Sequence, residues 1–441
     1  MAEVEIVEIC KVVPSKPGSL DHSKTPNFLP LTFFDIRWLR LPPIQTILFY
    51  QLSTLKPFFD SILPRLKHSL SLTLHHFLPL AGTLTWPETS NRPFIQHLEG
   101  DSVSLTGQIF ISNFDILNKS NADFFPLSGN HVFCEAKSYH PLVPNLEMSH
   151  QRAASLALQV TLFPNHGFSL GLTIRTLKLD SINDFTPQLE ERQITNGYIP
   201  LSPELEPFYE RSLIKDPVGL EELYTNQWLS LDGPNNKSLI LWERKVPSDS
   251  VRGTFILTRA NSETFRKLGK GDHTIRVSTF SLACAYTWVC LVQAEDISNE
   301  QVHLVLNCIR PIYLSAETKS LKGKQGLVVA LKAITEGIKS LEKGTLNGAE
   351  NWVSVLTSFL GNSSSVRSTS PRLGIYSADF GWGRPGKVDY VSIDSTGAIS
   401  VSENVNGDGG VEIGLALKKH HTEAFASLFL HGLDVDWNFK L

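Results

Sequence analysis

The apolar residues predict helices in three stretches of this 441-residue chain. The first, residues 46–77, steps by three and four positions from residue 58 onward and predicts mainly helix. The second, residues 277–292, is a continuous apolar run that is long for a strand and predicts a buried helix. The third, residues 327–341, steps by four and three and predicts an amphipathic helix that ends at Gly344.

Alternating apolar and polar residues predict the strands. Residues 4–13 alternate well enough for a first strand. Residues 156–163 and 168–176 flank a turn rich in Pro, Asn and Gly, so they predict a β-hairpin. Residues 388–401 alternate like a pair of strands around a central Ser-Thr-Gly.

Two stretches lack this periodicity. Residues 183–207 carry several Glu and Pro, which predicts a loop or a crossover linker. Residues 363–370 are rich in Ser and predict an exposed loop. Because strands and helices are interspersed in both halves of the chain, we predict an α/β fold with mixed sheets.

The composition is that of a globular protein with a sizeable core. A length of 441 residues predicts two or three domains. Hydrophobic residues make up 41% and charged residues 19%, which excludes global disorder. The net charge is −4 and no run of Lys or Arg is present, so we expect no nucleic-acid partner.

Cysteine usage and the N-terminus bear on the compartment. The five cysteines are odd in number and lack a C-x-x-C spacing, so we expect neither a disulfide framework nor a metal site. The first residues are acidic and alternating, unlike a targeting peptide. No apolar run approaches the roughly 18 residues that span a bilayer. We therefore expect a soluble, cytoplasmic protein without a membrane partner.

The most distinctive motif is Asp379-Phe380-Gly381-Trp382-Gly383-Arg384-Pro385. Its glycines let the backbone turn sharply or approach another segment closely. Its Phe and Trp are large anchors of defined geometry. We predict a packed, sharply turning segment in which Asp379 holds the turn through backbone N–H groups or a basic side chain.

This motif resembles the C-terminal hallmark of the plant BAHD acyl-CoA-dependent acyltransferases. Other parts of the chain resemble the same family, and most of all its anthocyanin and phenolic glucoside malonyltransferases. These blocks are residues 74–86, 100–103, 159–165, 208–212, 278–290 and 348–352. Because they are spread over nearly the whole chain, the chain is identified as a member of this family.

The resemblance implies two chloramphenicol-acetyltransferase-like domains with an active-site channel at their interface. The N-terminal domain would be residues 1–182, joined by a strand from 374–400. Residues 183–225 would be the crossover linker, and 226–441 the C-terminal domain. The family also implies an acyl-CoA co-substrate (here malonyl-CoA), a glycosylated phenolic acceptor, a monomer, and no bound cofactor or metal.

The second hallmark of the family is His-x-x-x-Asp, whose His takes the proton from the acceptor hydroxyl during attack on the thioester. The resemblance aligns Arg175-Thr176 with the family's His-His, so Thr176 stands at the position of the base and Asp180 at that of the Asp. A Thr hydroxyl has no useful basicity near neutral pH. By resemblance the remaining site residues are Asp379 as a third catalytic candidate, Phe380, Gly381, Trp382 and Gly383 as structural residues, and Ser278, Thr279, Asn307 and Arg384 as channel candidates.

Other histidines are poor replacements for the missing base. His97 and Asp101 form the only His-x-x-x-Asp in the chain, but they belong to an N-terminal block of the family, and we interpret the spacing as coincidence. His166 lies at the predicted hairpin turn, about 33 Å of strand away from Thr176. His273 is an alternative if the alignment is displaced.

A second departure from the family is the loss of most of its Tyr-Phe-Gly-Asn-Cys block, of which only Asn307-Cys308 remains. Three hypotheses stay open. The chain is an O-acyltransferase that moves malonyl onto a phenolic or flavonoid glucoside, with Asp379, a water or the substrate replacing the base. It is a pseudoenzyme that binds CoA or glycoside without turnover. Or it is the product of a mis-joined gene model.

Overall fold

The structure is a computed structural model. It describes residues 3–15, 26–52, 58–111, 124–129, 133–175, 207, 209–242, 246–268, 277–307, 311–344, 346–360, 365–368, 374–380 and 382–434. The first of its two compact units comprises Met1–Ser128, Ser138–Glu243 and Gly374–Ser392. The second comprises Gly129–Lys137, Arg244–Leu373 and Ile393–Leu441.

The strands and helices are numbered in chain order. The strands are β1 Glu3–Val12, β2 Phe28–Pro30, β3 Ile44–Gln51, β4 Thr83–Thr85, β5 Phe94–Gln96, β6 Val103–Ile111, β7 Cys134–Glu135, β8 Arg152–Ala154, β9 Leu156–Phe163, β10 Gly167–Ile174, β11 Ser250–Leu257, β12 Gln301–Asn307, β13 Pro311–Glu317, β14 Ser365–Ser368, β15 Lys387–Tyr390, β16 Ser400–Glu403 and β17 Val411–Lys418. The helices are α1 Phe33–Ile36, α2 Leu63–His76, α3 Leu78–Ala81, α4 Phe124–Ser128, α5 Leu220–Ser230, α6 Arg259–Leu268, α7 Thr279–Ala294, α8 Thr318–Lys322, α9 Gly326–Lys339, α10 Trp352–Leu360, α11 Ile393–Thr396 and α12 Lys419–Asp434.

Each unit contains a mixed sheet, as predicted. The first unit has a six-stranded sheet in the order β1-β6-β9-β10-β3-β15, in which β6 and β9 are parallel. It also has a four-stranded sheet in the order β2-β5-β4-β8. The second unit has sheets in the orders β16-β17-β11-β7 and β13-β12-β14, with β12 and β14 parallel. The interspersed pattern of strands and helices therefore predicted the fold class correctly.

Several individual predictions are confirmed. The strand predicted over 4–13 is β1, and the hairpin predicted over 156–176 is β9 and β10, with Leu170 opposite Val160. The run over 277–292 is α7, which is almost wholly buried. The run over 327–341 is α9 followed by a 3₁₀ turn, and Gly344 ends it at φ 124°.

The prediction of helix over 46–77 was wrong at its N-terminal end. Residues Ile44–Gln51 form β3, which lies between β10 and β15 with Leu48 opposite Leu170. Among the described residues that follow β3, helical structure is present from Phe58, with a π turn that leads into α2. The run in β3 is rich in β-branched and aromatic residues that are buried on both faces, and periodicity does not separate such a strand from a helix.

Two predictions in the C-terminal half were also wrong. The alternation over 388–401 is not a strand pair, because β15 pairs with β3 in the first unit and β16 pairs with β17 in the second. The Ser-rich stretch 363–370 contains β14, which pairs with β12. Backbone hydrogen bonds to a distant strand require no apolar pattern in the sequence.

The compact units differ from the predicted domain boundaries. The first unit extends to Glu243 rather than 182, because Trp228 of α5 donates from Nε1 to Ile36 O at 2.7 Å. A strand from residues 374–400 was predicted to join the N-terminal domain, and Gly374–Ser392 belongs to the first unit. Gly129–Lys137 belongs to the second unit, because β7 pairs with β11. Of the predicted linker over 183–225, residues 183–206 and 208 lie outside the described residues, and residues 207 and 209–225 belong to the first unit.

The centre of the large sheet depends on a close approach at Gly171. A Cβ atom at this position would lie 2.1 Å from Leu142 O. We expect Gly171→Ala to lower the free energy of unfolding by about 1–3 kcal/mol, because backbone on both sides must move apart. Gly386→Ala is the matched control, since a Cβ there meets nothing within 4 Å. Equal melting temperatures of the two variants would contradict this prediction.

Candidate active-site strand and glycine-rich segment

Strand β10 leads directly to the position predicted for the catalytic base. Two hydrogen bonds hold the end of this strand. Thr173 donates from Oγ1 to Pro144 O at 2.5 Å, and Arg175 N donates to Ser155 O at 2.9 Å. The strand ends at Ile174 rather than at 176. Thr176 and Asp180 lie outside the described residues, so their roles stay predictions.

Arg175, next to Thr176, is a wholly buried cation. Its side chain is 1% exposed, and Nη2 donates to Leu39 O at 3.2 Å and to Leu239 O at 2.8 Å. Burial lowers the pKa of the guanidinium to about 10, so it still carries its charge at neutral pH. Its position directly after the apolar residues of β10 was a signal in the sequence that our prediction did not use.

The segment that Arg175 contacts holds two further buried arginines. Arg37 lies over the rings of Trp38 and Phe34, at 4.8 and 5.7 Å from the centroids. Arg40 donates from Nε to Ile240 O at 3.1 Å and pairs with Asp232 at 3.0 Å. Arg175 therefore contacts a segment that carries two buried arginines of its own.

The glycine-rich segment turns sharply, as predicted. Gly383 N donates to Asp379 Oδ1 at 2.9 Å, and Gly383 has φ 94°, which favours glycine. Phe380 is fully buried and its ring lies 5.8 Å from that of Trp382. Gly381 lies outside the described residues, and Arg384 is exposed. The predicted contact between Asp379 and a backbone N–H is therefore present.

Aromatic contacts attach this segment to the start of β10. Trp382 lies 5.4 Å from Phe168 in an edge-to-face arrangement, and Phe380 lies 6.0 Å from Tyr50. Tyr50 stacks on Phe168 at 4.9 Å and donates from its hydroxyl to Ala378 O. Such pairs stabilise by more than their buried area alone.

The glycine-rich segment and Ile174 lie at opposite ends of β10. Trp382 contacts Phe168 near the first residue of the strand, whereas Ile174 is its last residue and precedes the predicted base position in the sequence. Six residues of strand span about 20 Å. This separation favours a structural role for Asp379 over a role as replacement base.

Replacing Asp379 tests that role. Because Asn keeps the acceptor oxygen, Asp379→Ala is the sharper change. We expect it to lower the free energy of unfolding by about 0.5–1.5 kcal/mol through loss of the bond from Gly383. Chemical denaturation measures the change, with exposed Arg384→Ala as the control. Unchanged stability together with lost acyl transfer would make Asp379 a chemical residue instead.

The remaining channel candidates belong to the second unit. Ser278 caps α7, because its Oγ accepts from Ser281 N at 3.1 Å. Thr279 Oγ1 accepts from Arg266 Nη2 at 2.7 Å. Asn307 is the last residue of β12, opposite Pro311. A role for these residues in binding stays a prediction.

Two of the histidines considered as replacement bases, His97 and His166, lie in turns. Asp101 accepts from Leu98 N at 2.8 Å and so closes a turn beside His97. Burial lowers the pKa of His97, against an opposing effect of Asp101. His166 contacts Pro164 O within the hairpin turn, at the opposite end of β10 from Ile174. His273 lies outside the described residues.

Among the described residues, no group of His, Cys, Asp and Glu is arranged to hold a metal ion. In the same part of the chain, no helix combines the length and apolar character required to cross a membrane.

Comparisons with known proteins cover the full length of the chain. A family model described as Transferase family matches residues 2–311 and 307–431. Phenolic glucoside malonyltransferase 1 of Arabidopsis thaliana is 32% identical, with 98% of each chain covered. Malonyl-CoA:anthocyanidin 5-O-glucoside-6''-O-malonyltransferase of Arabidopsis thaliana is 34% identical, again with 98% of each chain covered.

Solved structures agree on the fold. Vinorine synthase has a TM-score of 0.66 at 16% identity, over 99% of this chain and 100% of that one. TRI101 of F. sporotrichioides, complexed with coenzyme A and T-2, has a TM-score of 0.59 at 14% identity, over 93% and 98%. At these identities the likeness establishes the fold of the chain.

Proposed function

This chain belongs to the BAHD family of acyl-CoA-dependent acyltransferases, and on that premise we propose that it transfers malonyl from malonyl-CoA to a hydroxyl of a phenolic or flavonoid glucoside. The observation that carries the proposal is the full-length similarity to malonyltransferases of such glucosides, at 32 to 35% identity. A match over one domain would support the chemistry without supporting the substrate class.

The reaction needs few groups from the protein. The acceptor hydroxyl attacks the thioester carbonyl, an ester forms, and the CoA thiol leaves with a proton. We assign Thr176 to the position where the family's base would take the proton of the acceptor. We assign Asp180 to holding the loop that follows β10, and Asp379 to holding the glycine-rich turn. Because Thr176 cannot act as a base, we propose that turnover depends mainly on positioning of the two substrates.

Binding without turnover is the second candidate function. It is favoured by Thr176 at the base position, because binding of a CoA ester does not require a proton acceptor there. In this case the chain would hold malonyl-CoA or the glucoside and release them unchanged.

Two measurements on the purified chain separate these functions. Isothermal titration calorimetry with malonyl-CoA tests binding, and release of free CoA thiol in the presence of a phenolic glucoside tests transfer. Binding with release of malonylated glucoside supports the acyltransferase, and binding without release supports the second candidate. Absence of binding to malonyl-CoA, together with absence of transfer, would contradict both candidate functions.

We also propose that the protein is a monomer that works in the cytoplasm. We further propose that Ser278, Thr279, Asn307 and Arg384 each contribute to the binding of malonyl-CoA. Light scattering coupled to size-exclusion chromatography tests the oligomeric state, and microscopy of a fluorescent fusion tests the location. Single alanine variants of the four residues test these contributions, because loss of a contact should lower the affinity for malonyl-CoA.

A further inference from the structure

A cavity of about 410 Å³ lies within the first unit. One wall is the tight turn in which Ser149 N donates to Arg152 O at 2.6 Å, and another is the turn at residues 100–102. The end of α3 and the first residue of β4, Thr83, supply the rest of the enclosure. Ligand sites in proteins have volumes of about 300–1,000 Å³, so this cavity can hold a small molecule.

The lining of the cavity changes from apolar to polar with decreasing burial. Its buried part is mostly apolar and includes Leu80, Ala81, Ala153 and Leu156. Its half-buried part is mainly polar and includes Thr83, Asp101 and Ser102. Its exposed rim is charged and includes Lys11, Glu147 and Arg152. A bound molecule would therefore contact apolar groups at its inner side and polar groups around its edge.

The charges of the lining balance one another. The two cations are Lys11 and Arg152, and the two carboxylates are Asp101 and Glu147, so the net charge is zero. Lys11 forms an ion pair with Glu147, and Asp101 accepts from Leu98 N at 2.8 Å. A site without net charge does not attract a charged ligand over a neutral one. The cavity is therefore suited to a neutral polar molecule.

Several polar groups of the lining are available to a ligand. Within the described ranges, the hydroxyls of Thr83 and Ser102 and the guanidinium of Arg152 form no hydrogen bond with another protein group. A hydroxyl both donates and accepts, a guanidinium donates, and a carboxylate such as that of Glu147 accepts. The lining thus offers both kinds of hydrogen-bonding partner.

We propose that this cavity binds a neutral sugar ring. Such a ring has an apolar face of C–H groups and an edge of hydroxyls that both donate and accept. The face matches the buried lining, and the hydroxyls match the polar groups above it. A wholly apolar ligand would bury those polar groups without partners, which is costly. Sugar binding here goes beyond the proposed function, because it requires neither malonyl-CoA nor acyl transfer.

Titration of the full chain with methyl β-D-glucopyranoside, followed by ligand-observed NMR, tests the site. We expect a Kd of about 1 mM, as for a ligand of this size. Ser102→Trp fills the cavity and should weaken the binding at least about 10-fold. Ser230→Trp is the matched control, because Ser230 is exposed on α5 outside the lining, and its affinity should equal that of the wild type.

A change of charge tests the balance within the lining. Methyl β-D-glucuronide has the same ring with a carboxylate in place of the hydroxymethyl group, and the wild type should bind it no more tightly than the glucoside. Glu147→Gln frees Lys11, so the affinity for the glucuronide relative to the glucoside should rise about 2- to 5-fold. Glu222→Gln removes an exposed carboxylate outside the lining and should leave this ratio unchanged.

Phenyl β-D-glucopyranoside identifies the source of the sugar. If Ser102→Trp weakens the binding of both glucosides, the sugar of a phenolic glucoside enters the cavity. If it weakens the binding of the methyl glucoside alone, the cavity is a site for a free sugar. Circular dichroism checks the folding of each variant. If Ser102→Trp does not fold, the wild-type titrations and Glu147→Gln decide, since the ion pair of Glu147 lies at the exposed rim.

Three results would overturn the inference: no saturable binding of either glucoside by the wild type, unchanged affinity for both in Ser102→Trp, or an unchanged ratio in Glu147→Gln. Tighter binding of the glucuronide than of the glucoside by the wild type would overturn the choice of a neutral ligand. Release of CoA thiol by the same preparation decides the proposed function separately, so failure of one can be told from failure of the other.

Discussion

We expect the purified chain to turn over malonyl-CoA and a phenolic glucoside at least about 100-fold more slowly than the malonyltransferases it resembles, because a general base contributes about 10²–10⁴ to such a reaction. Thr176 stands at the position of that base, and a hydroxyl cannot accept the proton near neutral pH. Release of CoA thiol, with mass-spectrometric identification of the product, measures the rate. Thr176→Ala is the matched control and should not change it.

Restoration of the base tests the same prediction in the other direction. Thr176→His alone should recover little of the rate, since we expect the missing Tyr-Phe-Gly part of the Tyr-Phe-Gly-Asn-Cys block to have shaped the family's channel as well. Thr176→His combined with insertion of that block should recover most of it. Robust transfer by the wild type, unaffected by changes at Thr176, would show that another group takes the proton.

Lys387→Met lowers the free energy of unfolding by about 3–5 kcal/mol, the cost of leaving a buried charge without its partner. Lys387 follows the glycine-rich segment and is 3% exposed. Its Nζ lies 3.0 Å from Asp389, donates to Leu127 O at 2.9 Å, and lies 3.3 Å from the Tyr139 hydroxyl. The variant therefore uncouples β15 from α4 and leaves the buried Asp389 carboxylate without this cation.

An exposed ion pair provides the control for that variant. Lys322 pairs with Asp296 at 2.7 Å, and the Asp296 side chain is 94% exposed. Lys322→Met should cost less than about 1 kcal/mol, because water screens the pair. Urea denaturation measures both variants. Equal losses in the two would mean that the burial of Lys387 contributes nothing to stability.

The contacts of Lys387 also help to hold the glycine-rich segment in place, because Lys387 is the first residue of β15. This segment is attached at one end through Tyr50 and Phe168 and at the other through β15. Loss of the Lys387 contacts should therefore weaken the packing of Trp382, which intrinsic tryptophan fluorescence can follow during denaturation.

The sequence by itself determined those features that depend on local pattern. The long runs of α7 and α9 were predictable because an apolar stripe or a buried run of that length is compatible with helix alone. The hairpin of β9 and β10 was predictable because its turn lies between two apolar runs close in sequence. The glycine-rich motif and the other family blocks identified the family. The alignment at Thr176 predicted that the family's catalytic base is missing.

Only the tertiary structure decided the features that depend on partners distant in the chain. Ile44–Gln51 is a strand because β10 and β15 supply hydrogen bonds on both sides, and Ser365–Ser368 is a strand because β12 does. The burial of Arg175 depends on the carbonyls of Leu39 and Leu239, which are far from it in sequence. The placement of the glycine-rich segment at the start of β10 follows from the packing of Trp382 on Phe168. Apolar periodicity records which face of an element is buried, but it does not record what covers that face.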